Sequence, residues 1–440
     1  MPDNWRVGDP EVVGRAMHDL IRDLYPICRS ITGDGVRATF EILGRHVALD
    51  VTEVPTGTEV FDWNVPREWN IRDAWIKDGS GNRVVDFRES NLHVVGYSVP
   101  VHATVRRDEL DTHLHSLPDQ PDAIPYRTSY YTENWGFCVS ENQRKLLTDD
   151  EYEVCIDAAH TDGSLTYAEH VVRGATDDEV LISCHTCHPS LCNDNLAGIA
   201  VAAYLARRLR ELPLKFTYRF VFLPGTIGSI TWLARNPDAV ARNACGLVLT
   251  CVGDPGPFTY KRSRRGDTIV DRAAAHVLDH RDEASEVIDF YPYGYDERQY
   301  CSPGFDLAVG CLMRSQHGRF PEYHTSGDDL DFVRPDALAG SLDACLQIID
   351  VIEHDARYLN TNPKGEPMLG KRGLYRAIGG EADAKTNELA LLWVLNQSDG
   401  NHSLLDIAER SGLDFALVRW AADALREHDL LEPAGAGTTR

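Results

Sequence analysis

Residues 181–198 read LISCHTCHPSLCNDNLAG, the passage from a short apolar run into a stretch of small residues with helical spacing. The apolar run predicts a buried strand, and the segment 195–211 predicts a helix behind a polar turn. His188 falls just past the strand end and Asp194 at the helix start. They are six residues apart, too far for one helical turn, but a strand-end residue and a helix-start residue converge across the intervening Pro189-Ser190-Leu191 turn. Asp194 read alone is an ordinary helix cap. Read with His188 it is a pair of metal donors on rigid elements.

A second segment, FPEYHTSGDDLD at 320–331, places His324 in a polar turn ahead of a helix starting near Pro335. A lone loop histidine is usually structural. Two imidazoles and one carboxylate with an open position would nevertheless make a catalytic rather than a structural zinc site. Tyr323, beside His324, is a candidate donor to a developing oxyanion or simply a packing residue. Strand alternation turns His185 towards the face of Cys187, away from His188, so His185 is not expected among the ligands. Cys184, Cys187 and Cys192 surround the same turn, but no second C-x-x-C pair recurs and Cys187 has no evident base partner, so thiol chemistry is the lesser reading.

A chain of 440 residues with 43% apolar content can bury two or three cores. Its formal charge of −24 opposes extended contact with phosphate backbones or anionic lipid, so neither nucleic acid nor membrane is expected as partner. No run is apolar for long enough to cross a bilayer, and MPDNWRVGDP lacks the basic and apolar regions of a signal peptide. These features predict a soluble, cytoplasmic protein with reduced thiols. Homo-oligomerisation stays open.

Residues 10–49 show helical spacing, 51–163 read as short alternating strands between Gly, Pro and Asp turns, and 164–360 alternate strand and helix. The expected fold is therefore α/β: a mixed, mostly parallel sheet flanked by helices (1–50 and 164–360), interrupted by an inserted β-rich domain (51–163). Ligands of such sheets sit beyond the strand carboxyl ends, where His188, Pro224, Asp254 and His324 fall. Residues 380–435 pattern as a winged helix, with Gly412 in the helix–helix turn. Three arginines stand against nine acids over 386–433, a sign that favours packing or oligomerisation over DNA binding.

The two histidine segments resemble the first and last metal stations of the zinc aminopeptidase superfamily, which also contains glutaminyl cyclases. More closely, the chain resembles a bacterial family of aminopeptidase-like proteins with a C-terminal winged helix. The resemblance rests on IPYRTSYYTENWGFC (124–138), CHPSLCND (187–194), PGTIGSI (224–230), LTCVGD (249–254), YDERQYCSPGF (295–305), EYHTSGDDLDF (322–332) and GKRGLY (370–375). It implies a zinc-exopeptidase-like fold, Zn2+ bound by His188, Asp194 and His324 with Asp254 as a further ligand, and hydrolysis of an amide or peptide bond in a small amino-acyl or short peptide substrate. It also leaves open an acyl or cyclising transferase, or a non-peptidase binding or assembly protein. One departure stands out: where the superfamily carries an adjacent Glu pair, this chain has Gly225-Thr226. Replacement acids are Glu297, Glu322 and Asp296, and Arg298 would meet a substrate carboxylate or pair with an acid.

Overall fold

In the computed structural model, residues 5–374 and 381–434 are described. The principal sheet has eight strands: β1 (Asp50–Pro55), β2 (Ser164–Val172), β3 (Glu179–His185), β4 (Thr217–Leu223), β5 (Asn243–Leu249), β6 (Phe258–Lys261), β7 (Ser285–Ile288) and β8 (Val309–Met313). Their spatial order is β1-β2-β4-β3-β5-β8-β6-β7. The central neighbours β4, β3, β5 and β8 run parallel. The flanking pairs β1–β2, β2–β4 and β8–β6 are antiparallel. All seven residues of β3 are buried, as expected of a central parallel strand whose two faces are both covered by helices.

Because the four central strands are parallel, their carboxyl ends share one edge of the sheet. His185 ends β3, Pro224-Gly225 follow β4, Thr250-Cys251 follow β5, and the turn carrying His317 follows β8. The helix after β3 begins at Gly198, not at 195, and runs to Leu209. Ahead of it, Asp194 (φ −112°, ψ 76°) and Asn195 (φ −146°, ψ 35°) are non-helical. Asn195 Oδ1 accepts the Gly198 N–H at 3.2 Å, so Asn195 caps this turn and the Asp194 carboxylate remains free for other partners.

The β-rich segment forms its own antiparallel sheet, ordered Arg83–Asp86, Glu68–Lys77, Glu151–Thr161, Val101–Arg106. Alternate residues along Glu151–Thr161 are buried, the period of a strand with one covered face. Asp50–Pro55 lies outside that sheet, because it pairs along its whole length with β2 as the edge of the principal sheet.

The chain divides into two compact units. The larger comprises Val7–Thr268 and Glu286–Leu342 and holds the principal sheet and the inserted one. The smaller gathers the described residues of Met1–Arg6, Ile269–Ser285 and Asp343–Arg440. It contains the winged helix: helices Glu381–Gln397, Leu404–Ser411 and Phe415–Glu427 with a three-stranded sheet. Arg357–Asn360 is the central strand of that sheet, between Asp399–Ser403 and Leu431–Pro433, so the winged unit starts well before residue 380. Gly412 takes the left-handed conformation (φ 69°) that stops the middle helix. Helix Ile269–Asp279 belongs with this unit: Arg272 pairs with Asp406 at 2.7 Å and Glu409 at 2.6 Å. Arg419, on the third helix, pairs with the buried Asp350.

His276 Nε2 accepts the Phe415 N–H at 3.0 Å, at the start of that third helix. Burial and the neighbouring His280 push the imidazole from 6.5 down to about 4. The unfolded chain therefore binds a proton below 6.5 that the folded unit refuses until about 4, so stability present at neutral pH is lost as pH falls through that window. Thermal melts at pH 7.5 and 5 should show a lower midpoint at pH 5, and His276→Gln, which keeps an acceptor but does not titrate, should reduce the difference.

Candidate functional site

Asp194 is fully buried, and three imidazoles surround its carboxylate. Oδ1 lies 2.8 Å from His185 Nε2, and Oδ2 lies 2.9 Å from His324 Nε2 and 3.5 Å from His188 Nδ1. The donor atoms of His185, His188 and Asp194 are all within 4.8 Å of one another. The structure thus joins His188, Asp194 and His324 as the sequence implied, and adds His185. The alternation rule misplaced His185 because the chain leaves the strand there: β3 ends at His185, and His188 returns towards it from the turn, with 3.2 Å between Nε2 and Nδ1. A second trio, Asp194, Cys251 and His317, also has its donor atoms within 4.8 Å.

Electrostatics suit a metal. Burial pushes the His185 imidazole down to about 4, leaving it neutral at pH 7. Burial would raise the Asp194 carboxyl, but His188, His185 and His324 together hold it well below the usual carboxylate range. Neutral imidazole nitrogen beside an ionised carboxylate is a donor set that zinc accepts.

The surrounding residues hold this carboxylate in place. Asp328, from the His324 segment, accepts the backbone N–H groups of Asn193 at 2.5 Å and Asp194 at 3.0 Å. Arg29, almost wholly buried, donates from Nε to the His188 carbonyl at 2.9 Å. His324 (φ 55°) and Cys251 (φ 49°) adopt left-handed backbone that side chains other than glycine rarely take, a strain that concentrates at functional sites. From the inserted domain, Tyr126 donates its N–H to the His324 carbonyl at 2.7 Å, and its ring meets His188 and His324 edge-on at 5.0 and 5.1 Å.

Asp254 does not join the imidazoles. Its carboxylate accepts from Asn193 Nδ2 (2.9 Å), Ser315 N (3.2 Å), Ser315 Oγ (2.7 Å) and Gly256 N (2.8 Å), and so positions Asn193 beside Asp194. Glu297 is buried in a pair with Lys261 and accepts the Tyr295 N–H at 3.1 Å, which holds the loop in place of reaching the imidazoles. Asp296 is fully buried, accepts from Ser229 Oγ at 2.8 Å, and is pushed up to about 7 by burial. Neither it nor Glu322 belongs to either trio found among the described residues. Tyr323 stacks on His324 at 4.0 Å and 11°. Burial pushes the Cys187 thiol up to about 12.

Tyr295, which the sequence did not single out, explains Gly225. Its ring lies against His185 at 3.9 Å, tilted by 36°, and its hydroxyl lies 3.2 Å from Cys187 Sγ and 3.4 Å from His188 Nε2. A Cβ on Gly225 would sit 1.8 Å from that ring. The space a side chain at 225 would need is filled by tyrosine.

A family model described as a domain of unknown function (DUF4910) matches residues 18–355, and a winged helix-turn-helix model matches 356–433. The chain belongs to the DUF4910 family. It is 52% identical over 419 residues, 95% of this chain and 96% of the relative, to a Clostridium acetobutylicum protein named as a candidate polysaccharide biosynthesis protein with an aminopeptidase-like domain. The crystal structure of a candidate peptidase from Clostridium acetobutylicum superposes with a TM-score of 0.93 at 50% identity, covering 97% of this chain and 98% of that one. A zinc aminopeptidase from Bacillus subtilis superposes at 0.57 with 12% identity, over 78% of this chain and 94% of that one, a likeness of fold. The DUF4910 chain is therefore an aminopeptidase-like α/β protein with a C-terminal winged helix.

The Gly225–Tyr295 contact yields a double-mutant test. Gly225→Ala should destabilise by about 1–3 kcal/mol through overpacking. In the Tyr295→Ala background the same change should cost less, and equal costs in the two backgrounds, measured by denaturant unfolding, would refute the contact.

Proposed function

We propose that this protein is a zinc-dependent hydrolase of an amide bond in a small amino-acyl substrate. The observation that carries the reading is the buried Asp194 carboxylate shared by His185, His188 and His324. His185, His188, Asp194 and His324 would hold the metal, with His317 and Cys251 beside it. A zinc ion there supplies Lewis-acid polarisation of an amide carbonyl.

The protein's own groups supply orientation and proton transfer. With no acid at 225 or 226, His317 is the proton acceptor of this reading, its donor atom lying within 4.8 Å of Asp194. Tyr295 is the matching donor: burial pushes its hydroxyl well above 10, so it keeps its proton and presents it beside His188. Tyr126 and Tyr323 wall the site, and Glu297 holds Tyr295 through its backbone N–H.

A second reading has its own support. The missing Glu pair and the name of the Clostridium acetobutylicum relative favour work on carbohydrate intermediates over peptide digestion. Small substrates, no nucleic acid and a cytoplasmic setting complete the proposal; among the described residues no helix is long and apolar enough to cross a membrane.

Two measurements test it. Zinc titration of the purified chain should give tight binding that Asp194→Ala and His185→Ala abolish, while Asp328→Asn weakens it about 10–100-fold, the usual cost of losing a partner that orients a ligand. Amine release from amino-acid amides, dipeptides and N-acyl amino sugars should stop on chelation and return with zinc. Zinc retention by both alanine variants would remove the site.

A further inference from the structure

Beyond the carboxyl end of β8 lies a cavity of about 530 Å³, within the range of small-molecule sites. His317 stands in its wall and also in the trio with Asp194 and Cys251, so the cavity adjoins the imidazole cluster through that ring. We propose that this cavity seats a pyranose ring, and that the substrate is a neutral N-acylated amino sugar whose amide is directed past His317 towards Asp194. The sugar half of this inference stands on the cavity; the direction of the amide rests on the hydrolase reading above.

The chemistry of the walls separates a sugar from an amino-acid side chain. Apolar cover comes from Ile288 and Met313, whereas a pocket for a leucine or phenylalanine side chain would be apolar throughout. Instead Glu286, Asp289, Gln316 and Arg319 bring carboxylate, amide and guanidinium groups to the same space. Such groups engage hydroxyls in directional, partly charge-assisted hydrogen bonds. Gln316 Nε2 donates to Glu286 Oε2 at 3.0 Å, which links the two side chains across the cavity wall.

Tyr291 and Tyr293 supply the complementary surface. Each is 56% exposed, and their rings lie 6.1 Å apart at 44°. Two solvent-facing aromatic rings at a cavity of polar groups suit the C–H faces of a pyranose, with hydroxyls left for the rim. The loop that carries them is built, not incidental. Lys261, almost wholly buried, donates to the carbonyls of Tyr291 (3.2 Å) and Tyr293 (2.9 Å) while pairing with Glu297. Gly294 (φ 154°) allows this approach, since a Cβ there would sit 2.1 Å from Glu297 Oε1 and 2.4 Å from Lys261 Nζ. The same buried pair thus sets both the tyrosine platform and Tyr295.

The test uses the full chain in the presence of a chelator, so that it reads binding without turnover. Saturation-transfer NMR and calorimetry with methyl N-acetyl-β-glucosaminide should show binding through the ring protons. Tyr291→Ala and Tyr293→Ala should each weaken it about tenfold, the scale of one aromatic contact, and Gln316→Ala should weaken it further. Leucinamide should not displace the sugar. Absence of sugar binding, sugar affinity unmoved by both tyrosine variants, or leucinamide binding that depends on the two tyrosines would each overturn the proposal. Sugar binding that persists while no amide is hydrolysed under any metal condition would uphold the cavity and sink the hydrolase reading alone.

Discussion

A carboxylate removed from water must be matched by cations, by hydrogen-bond donors or by a metal, and Asp194 is removed from water entirely. Its surroundings are organised around that demand. Imidazoles approach both oxygens, the peptide N–H of Asp194 is gripped by Asp328, and Asp254 braces the neighbouring Asn193. The parallel centre of the sheet makes this convergence possible, because only strands that run the same way deliver His185, Gly225, Cys251 and His317 to one edge.

The departure from the aminopeptidase pattern is equally physical. Gly225 and Tyr295 are a matched pair: the ring occupies the volume that a side chain at 225 would take. On the proposed reading, the Tyr295 phenol offers a proton donor where Gly225 and Thr226 offer no acid. His317 stands both beside Asp194 and in the wall of the neighbouring cavity.

Much of this was legible in the sequence. The alternation of strands and helices, the β-rich interruption and the winged pattern each found their counterpart, and His188, Asp194 and His324 were brought together. What the sequence hid depended on local geometry. Strand alternation turns His185 away from His188 only if the strand continues, and the chain leaves the strand at His185. Asp50–Pro55 reads like the insertion that follows it, but its hydrogen bonds go to β2. Arg357–Asn360 is too short and polar to announce itself as the middle strand of the wing. The acids of YDERQY drew attention as replacement bases, yet burial directs them to Lys261, Ser229 and the backbone. Tyr295 between them carried no spacing signal, since only the fold lays its ring against Gly225.

The bridge between Pro125 and Thr325, with Tyr126 N–H on the His324 carbonyl, ties together parts of the chain about two hundred residues apart. Contacts of such sequence separation carry a loop-closure cost that local contacts do not. A ribosome-bound fragment lacking residues 320–331 has neither His324 nor the Asp328 clasp, so the centre is absent from every incomplete product of synthesis or proteolysis that lacks that segment. Assembly of the imidazole cluster therefore needs the chain as far as Asp328, and the contacts of 124–126 with 324–326 brace its last imidazole.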